Sequence, residues 1–498
     1  MPSRIAALVA ECAERASADA ALVEGRTGQT VTWGGLAGRV AEWTARPDLA
    51  GRAVLLQEEH PLEFITAYLG LLAAGAVVFP MAPDAPETDV AATRSGFGIE
   101  GNPASKSRAA PVGWAEPGTV VLRTSGTTGT PKGVPLGEAR LLYAASLVAR
   151  HHGFSPADTV YSSLPLFHIN AQVVGVLATL VSGATLTVDE RFHRSEFWDV
   201  IDRCGVTVLN AVPAILAILA DEPPPPAVAA RIRFARSASA PLPPTTLRRF
   251  EERCGIGVLE TYGMTEAAGQ ICANPLEPAA RRPGSVGPPV GLDLRVVDEQ
   301  GAMVAPGVAG RVEIAGRSVV DHYLVPGAPP SRVPAGGASG WLRTGDVGYR
   351  DDGGFVHLLG RIDGVINRGG EKVYPRHVEE VLRRHPGVAE VAVVGEPDPV
   401  LGERPVAFVV ARAGTLANAL TNGFTNTFTN AFTDGFSEGR TNGHTVGDLA
   451  RFEEELFELC ERQLSRPQRP ARIHLVHSLP STPTGKVRPD ALRAMAAS

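Results

Sequence analysis

Residues 124–133 read Thr-Ser-Gly-Thr-Thr-Gly-Thr-Pro-Lys-Gly, a run of glycines and hydroxyl side chains that closes on Lys132. Small residues let backbone N–H groups approach phosphate oxygens, the hydroxyls add donors, and the lysine adds positive charge. The run is not an NTPase-type P-loop, because Gly133 rather than Ser or Thr follows the lysine. Phosphate binding without kinase-type chemistry is the reading; a plain glycine- and threonine-rich surface loop is the alternative.

Lys132 is one of four lysines, with Lys106, Lys372 and Lys486, against 43 arginines. A lysine ammonium is a compact point charge, whereas arginine is a planar fork suited to bidentate partners. A site that must set one charge among several oxygens keeps lysine. A coding bias toward arginine that spared four at random explains the same count.

Elements must hold these residues in place, and the chain alternates helical and strand patterns through most of its length. Residues 61–75 open on Pro61 and end on Gly75, as a helix does, and Val77–Pro80 then reads as a buried strand. Similar units recur at 172–188 and 196–209. Beyond about residue 361 a smaller unit begins. Its pattern predicts a helix over 377–382, strands over 388–395 and 406–411, and a further helix striped by Phe452, Leu456 and Leu459. Six tetrapeptides from Thr421 to His444, within 413–447, read as a surface insertion, since their Thr, Asn and Gly are poor helix formers.

With 498 residues, two or more cores are expected. A net charge of −6 gives no footprint for nucleic acid or anionic membrane. The five cysteines have neither metal nor disulfide-framework spacing, and the first residues become charged too early for a signal peptide, so a cytoplasmic location is expected.

The loop at 124–133, YGMTE at 262–266, TGD at 344–346, GRIDGVINRGGEKVYPRHVEE at 360–380 and PTGKVRP at 483–489 follow one another in an informative order. In order and spacing the chain resembles the adenylate-forming superfamily of acyl-CoA synthetases, adenylation domains and luciferases, from about Thr32 to about Leu492. The resemblance implies an α/β fold: a large N-terminal domain of layered sheets and helices over 1–361, and a small, mobile α+β C-terminal domain over 362–498. It also implies two reactions. A carboxylic acid attacks ATP to give an acyl-adenylate and pyrophosphate, and a thiol then takes the acyl group and releases AMP.

Carried to this chain, the resemblance makes Thr124, Ser125, Gly126, Thr127, Thr128, Gly129 and Lys132 a cradle for the β and γ phosphates. Thr265 contacts the α-phosphate and Glu266 binds Mg²⁺. Tyr262 stacks on adenine beside Gly263 and Met264, supported by the turn at Ser239, Ala240 and Pro241, and Asp346 with Arg361 receives the ribose. Lys486 is the mobile catalytic lysine, Asp363 the hinge, and Gly369 and Gly370 the walls of a thiol tunnel. His168 stands where amino-acid-activating relatives carry aspartate, which disfavours an α-amino acid and places an imidazole near the reacting carboxylate. Phe167, Asn170, Asn210, Val212 and Gln270 are pocket candidates. Lys106 and Lys372 match no catalytic position.

The implied partners are ATP, Mg²⁺, a small carboxylic acid, and CoA or a carrier-protein pantetheine; no nucleic acid or membrane is expected, and a homodimer is left open. Only 44 positions separate Pro80 from Thr124, as though one βα unit were absent, and no basic residue follows Pro80 to contact a CoA nucleotide. These departures keep two alternatives in view. One is a stand-alone adenylating enzyme that serves a carrier or partner enzyme, and the other is a nucleotide-binding homologue without catalysis.

Overall fold

Short apolar runs bounded by turns, such as Val208–Ala211 and Phe234–Ser237, are buried on both faces, which is the environment of a parallel sheet covered by helices. In this computed structural model, which describes residues 3–99, 112–124, 132–327, 329–336, 340–412, 446–481 and 487–497, they lie in an eight-stranded sheet. Its order is Gly269–Ala273, Val258–Met264, Phe234–Ser237, Val208–Ala211, Thr159–Ser162, Thr185–Val188, Ala20–Glu24 and Thr30–Thr32. The inner strands pair in parallel, and the two edge strands are antiparallel. All their carboxyl ends therefore open on one side.

A six-stranded sheet runs Ser331–Pro334, His322–Val325, Lys132–Gly137, Thr119–Thr124, Val77–Pro80 and Ala53–Leu56. Helices Arg4–Ala16, Trp33–Thr44, Pro61–Ala73 and Glu138–His152 join both sheets in one buried cluster. A four-stranded antiparallel sheet, Asp293–Val297, Gly310–Ala315, Leu342–Arg350 and Val356–Arg361, completes this part. The expected helix over 61–75 and strand over 77–80 are present. The short segment after Pro80 still makes a full crossover: helix Glu87–Phe97 links Val77–Pro80 to its parallel neighbour Thr119–Thr124.

After the turn Ile362–Gly364 the chain builds a separate core. Hairpin Ile366–Arg368 and Glu371–Val373 joins the long antiparallel pair Val388–Asp398 and Gly402–Ala411, with Arg472–Leu475 parallel to the latter. Helices Pro375–Leu382 and Val446–Gln463 cover it, burying Val378, Val381, Phe452, Leu456 and Leu459 as their spacing predicts. The tetrapeptide repeats and Lys106 lie outside the described residues. No helix among the described residues is long and apolar enough to cross a membrane, and all five cysteines are free.

One buried charge sits where the two parts meet. Arg376 Nη1 donates to the Leu358 carbonyl at 2.9 Å, and its Nε pairs with Glu380 at 3.3 Å. Near it, burial pushes the Glu260 carboxyl up to about 7 from an ordinary 4.5, with Arg376 opposing the rise. A carboxyl raised on folding stabilises the native state fully below pH 4.5, and that contribution is lost as pH climbs through about 7. At about 1.4 kcal/mol per tenfold change in proton affinity, the loss is roughly 3 kcal/mol. Glu260→Gln is therefore expected to gain stability relative to wild type as pH rises from 5 to 8. Urea denaturation at both pH values checks this, and a mutant-to-wild-type gap independent of pH would refute it.

Candidate active site

Three polar side chains occupy neighbouring registers at the carboxyl ends of the parallel strands, where open α/β sheets place their ligand crevices: Ser162, Asn210 and Arg236. Arg236 Nη1 donates to Asn210 Oδ1 and to Asn170 Oδ1, both at 3.0 Å. Asn170 Nδ2 in turn donates to Ser239 Oγ at 3.0 Å. Ser239 sits at φ +71°, a conformation that a side-chain-bearing residue adopts at a cost. This fixes the Ser239-Ala240-Pro241 turn against the loop that carries Phe167 and His168, whose rings lie 4.6 Å apart. A π-helical segment, Ala171–Leu177, follows directly, and such widened turns recur at functional sites. Val212 caps the next helix, Pro213–Leu219, just past Asn210.

A second wall comes from Val258–Met264, which runs into the turn Thr265–Ala267 and returns as Gly269–Ala273. A Cβ on Gly263 would stand 1.9 Å from the Gly269 carbonyl oxygen, so only glycine lets the two backbones approach. Its register partner Gln270 is buried, and neither of its amide atoms has a hydrogen-bond partner among the described residues.

Asp346 and Arg361 face each other across the pair Leu342–Arg350 and Val356–Arg361. Arg361 Nη1 donates to Asp346 Oδ1 at 3.3 Å and to the Thr344 carbonyl at 2.8 Å, while Tyr262 Oη donates to Asp346 Oδ2. Burial pushes the Asp346 carboxyl up, and these two donors oppose the shift. The three residues expected around the nucleoside thus form one hydrogen-bonded group.

Thr124 and Lys132 are register partners at the open end of a hairpin, so both stems of the glycine-rich loop start from one place. Ser125, Gly126, Thr127, Thr128 and Gly129 lie outside the described residues, as does Lys486. Lys132 Nζ stands 5.4 Å from the centre of the Tyr323 ring, and Tyr323 Oη donates to Glu266 Oε1 at 3.3 Å. One tyrosine therefore spaces the loop's cation from the carboxylate of YGMTE. Burial pushes the Glu266 carboxyl up, and the Tyr323 hydroxyl opposes it. No cluster of three or more His, Cys, Asp or Glu that could hold a metal occurs among the described residues. A lone half-buried carboxylate suits Mg²⁺, which takes one or two protein carboxylates and completes its shell with phosphates and water.

The remaining assignments fall on the smaller part. Gly369 and Gly370, at φ +60° and +91°, make the hairpin turn between Arg368 and Glu371. Asp363 lies in the connecting turn, where its carbonyl accepts from Arg493 Nη2 at 3.2 Å. Lys372 forms a 2.6 Å surface ion pair with Glu299, consistent with its lack of a catalytic match. Arg236 and Tyr323 were not foreseen. A charge inside the otherwise apolar run Phe234-Ala235-Arg236 was a legible signal for the first, whereas Tyr323 belongs to no motif.

The chain is similar to known proteins over most of its length. The family model described as AMP-binding enzyme matches residues 99–324, and the AMP-binding enzyme C-terminal domain matches 377–429. The chain is 40% identical to a sulfoacetate–CoA ligase of Cupriavidus necator over 78% of its own length and 69% of that protein's. It is 35% identical to an oxalate–CoA ligase of Arabidopsis thaliana over 74% of its length and 66% of the other's, so the match spans about two thirds of each relative. The structure of ATP-bound MatB from Rhodopseudomonas palustris superposes with a TM-score of 0.80 at 26% identity, covering 98% of both chains.

Proposed function

The chain belongs to the AMP-binding enzyme family, and from that premise we propose that its cleft activates a small organic acid without an amino group. An acid oxygen attacks the α-phosphorus of ATP, the bond to pyrophosphate breaks, and a thiol sulfur then attacks the acyl carbon and expels AMP. The observation that carries this reading is the convergence of Tyr262, Asp346 and Arg361 beside the Lys132–Tyr323–Glu266 group. One group suits a nucleoside and the other a polyphosphate, and the phosphoryl step between them needs positioning and charge neutralisation rather than a protein nucleophile.

Within that cleft, Asp346 would accept from the ribose hydroxyls and Glu266 would hold Mg²⁺, which neutralises charge on the ATP oxygens when bound. The Ser239 turn would border the nucleotide, and His168 would stand by the reacting carboxyl. Lys486 would enter from a C-terminal domain that begins at 362 and turns about Asp363; separate cores on either side of that point support the boundary. CoA is the thiol we favour over a carrier protein, because both curated relatives are CoA ligases. Sulfoacetate and oxalate, the acids in those relatives' names, each carry two acidic groups. We read the acid here as small and strongly anionic. The free thiols fit a cytoplasmic setting.

ATP–pyrophosphate exchange across a panel of organic acids, followed by mass detection of product with and without CoA, tests the reading. Exchange with at least one acid and a CoA thioester product are expected. Exchange without a CoA product would favour the carrier or partner route, and no exchange with any acid would overturn ligation.

A further inference from the structure

Arg236 differs from Arg376, which is also buried but pairs with Glu380 at 3.3 Å. Three residues upstream, the more exposed Arg233 pairs with Asp158 at 2.8 Å, and half-buried Arg295 pairs with Glu313 at 2.8 Å. Arg236 is only 3% exposed, yet no carboxylate among the described residues lies within ion-pair distance. Its Nη1 is shared between two amide oxygens, and its buried Nε has no hydrogen-bond partner. Of the neighbouring titratable groups, His151 and His152 are pushed below the ordinary histidine range by burial and then by the arginine itself. Burial also pulls the guanidinium down to about 9.

A buried cation without a counter-ion costs several kcal/mol, so a fold that keeps one has a use for it. The place identifies that use. Arg236 stands in the row at the carboxyl ends of the strands, and Asn170 links it to the Ser239 turn that borders the proposed nucleotide site. The guanidinium therefore lies one side chain away from the Ser239 turn. Gln270, on the neighbouring wall, has two more unused polar atoms.

We propose that Arg236 is a specificity-determining residue that receives a second anionic group of the acid, a carboxylate or sulfonate one or two carbons from the reacting carboxyl, with Asn170 and Asn210 orienting its fork. This rests on the ligase reading above and narrows it. A short dianionic acid supplies the counter-ion that the described residues do not, while a monoanionic acid of equal length leaves the cation buried without one. Rejection of the latter follows from the same penalty that makes unmet polar groups selective.

The test measures ATP–pyrophosphate exchange with dicarboxylates of two to four carbons and sulfoacetate, against acetate, propionate and butyrate. Wild type is expected to prefer the dianions by roughly 10²-fold in kcat/KM. Arg236→Met, an apolar replacement of similar length, is expected to lose that preference mainly through KM and to gain on monoanions, while the thermal shift on adding ATP stays unchanged. Arg236→Lys, which keeps the charge, should retain part of the preference. Equal loss on both classes of acid, or a wild type that prefers monoanions, would overturn this inference and leave the ligase reading intact. No exchange with any acid would overturn both.

Discussion

Glu266→Gln is expected to lower acid-dependent pyrophosphate exchange by about 10²- to 10³-fold, the scale seen when one group aimed at transition-state charge is removed. The substitution keeps shape and keeps an acceptor for Tyr323 Oη, so the 3.3 Å contact and the fold around it survive. What disappears is the negative charge. In the wild type that carboxylate is half-buried, and burial already works against its ionised form. A bound cation would reverse that penalty, as the proposed Mg²⁺ role of Glu266 requires. The deficit should therefore narrow as Mg²⁺ is raised, whereas a purely structural defect would not respond. Tyr323→Phe, which keeps the carboxylate, should lose far less. Exchange by Glu266→Gln within threefold of wild type at equal Mg²⁺ would remove Glu266 from the site.

Much of this site was legible because its chemistry depends on local runs. The hairpin that opens between Thr124 and Lys132, the YGMTE turn and the Asp346–Arg361 pair each combine a short motif with a strand end, and strand ends follow from apolar run length. Side chains that act across elements were harder to foresee. Tyr323 comes from a strand 57 residues beyond Glu266, next to the sheet edge, and the pairing of His322–Val325 with Lys132–Gly137 sets it between loop and carboxylate. Arg236 was overlooked for a different reason. Arg236 lies within a strand whose other residues are core, and its value shows only in the fold, where no carboxylate among the described residues pairs with it. The short segment after Pro80 contains one helix, Glu87–Phe97, between Val77–Pro80 and its parallel neighbour Thr119–Thr124, an arrangement that segment length alone does not specify.

Lys486→Ala is expected to separate the two reactions. Adenylation asks for a positive charge between an incoming carboxylate and the α-phosphate oxygens, two anionic groups that repel as they close. Losing that charge should cost about 10²- to 10³-fold in exchange. Thioester formation makes no such demand, because the adenylate is already built and the sulfur attacks a carbonyl carbon. If the C-terminal domain turns about Asp363 between the steps, Lys486 has left by then, and a chemically prepared acyl-adenylate plus CoA should give product at close to the wild-type rate. ATP binding should persist through Asp346, Arg361 and the glycine-rich loop. Arginine is the informative second variant: its planar fork prefers two parallel acceptors, so Lys486→Arg should stay well below wild type in adenylation although the charge is kept. Loss of both half-reactions to the same degree would make Lys486 a structural residue, and full exchange in the alanine variant would assign the charge to another group.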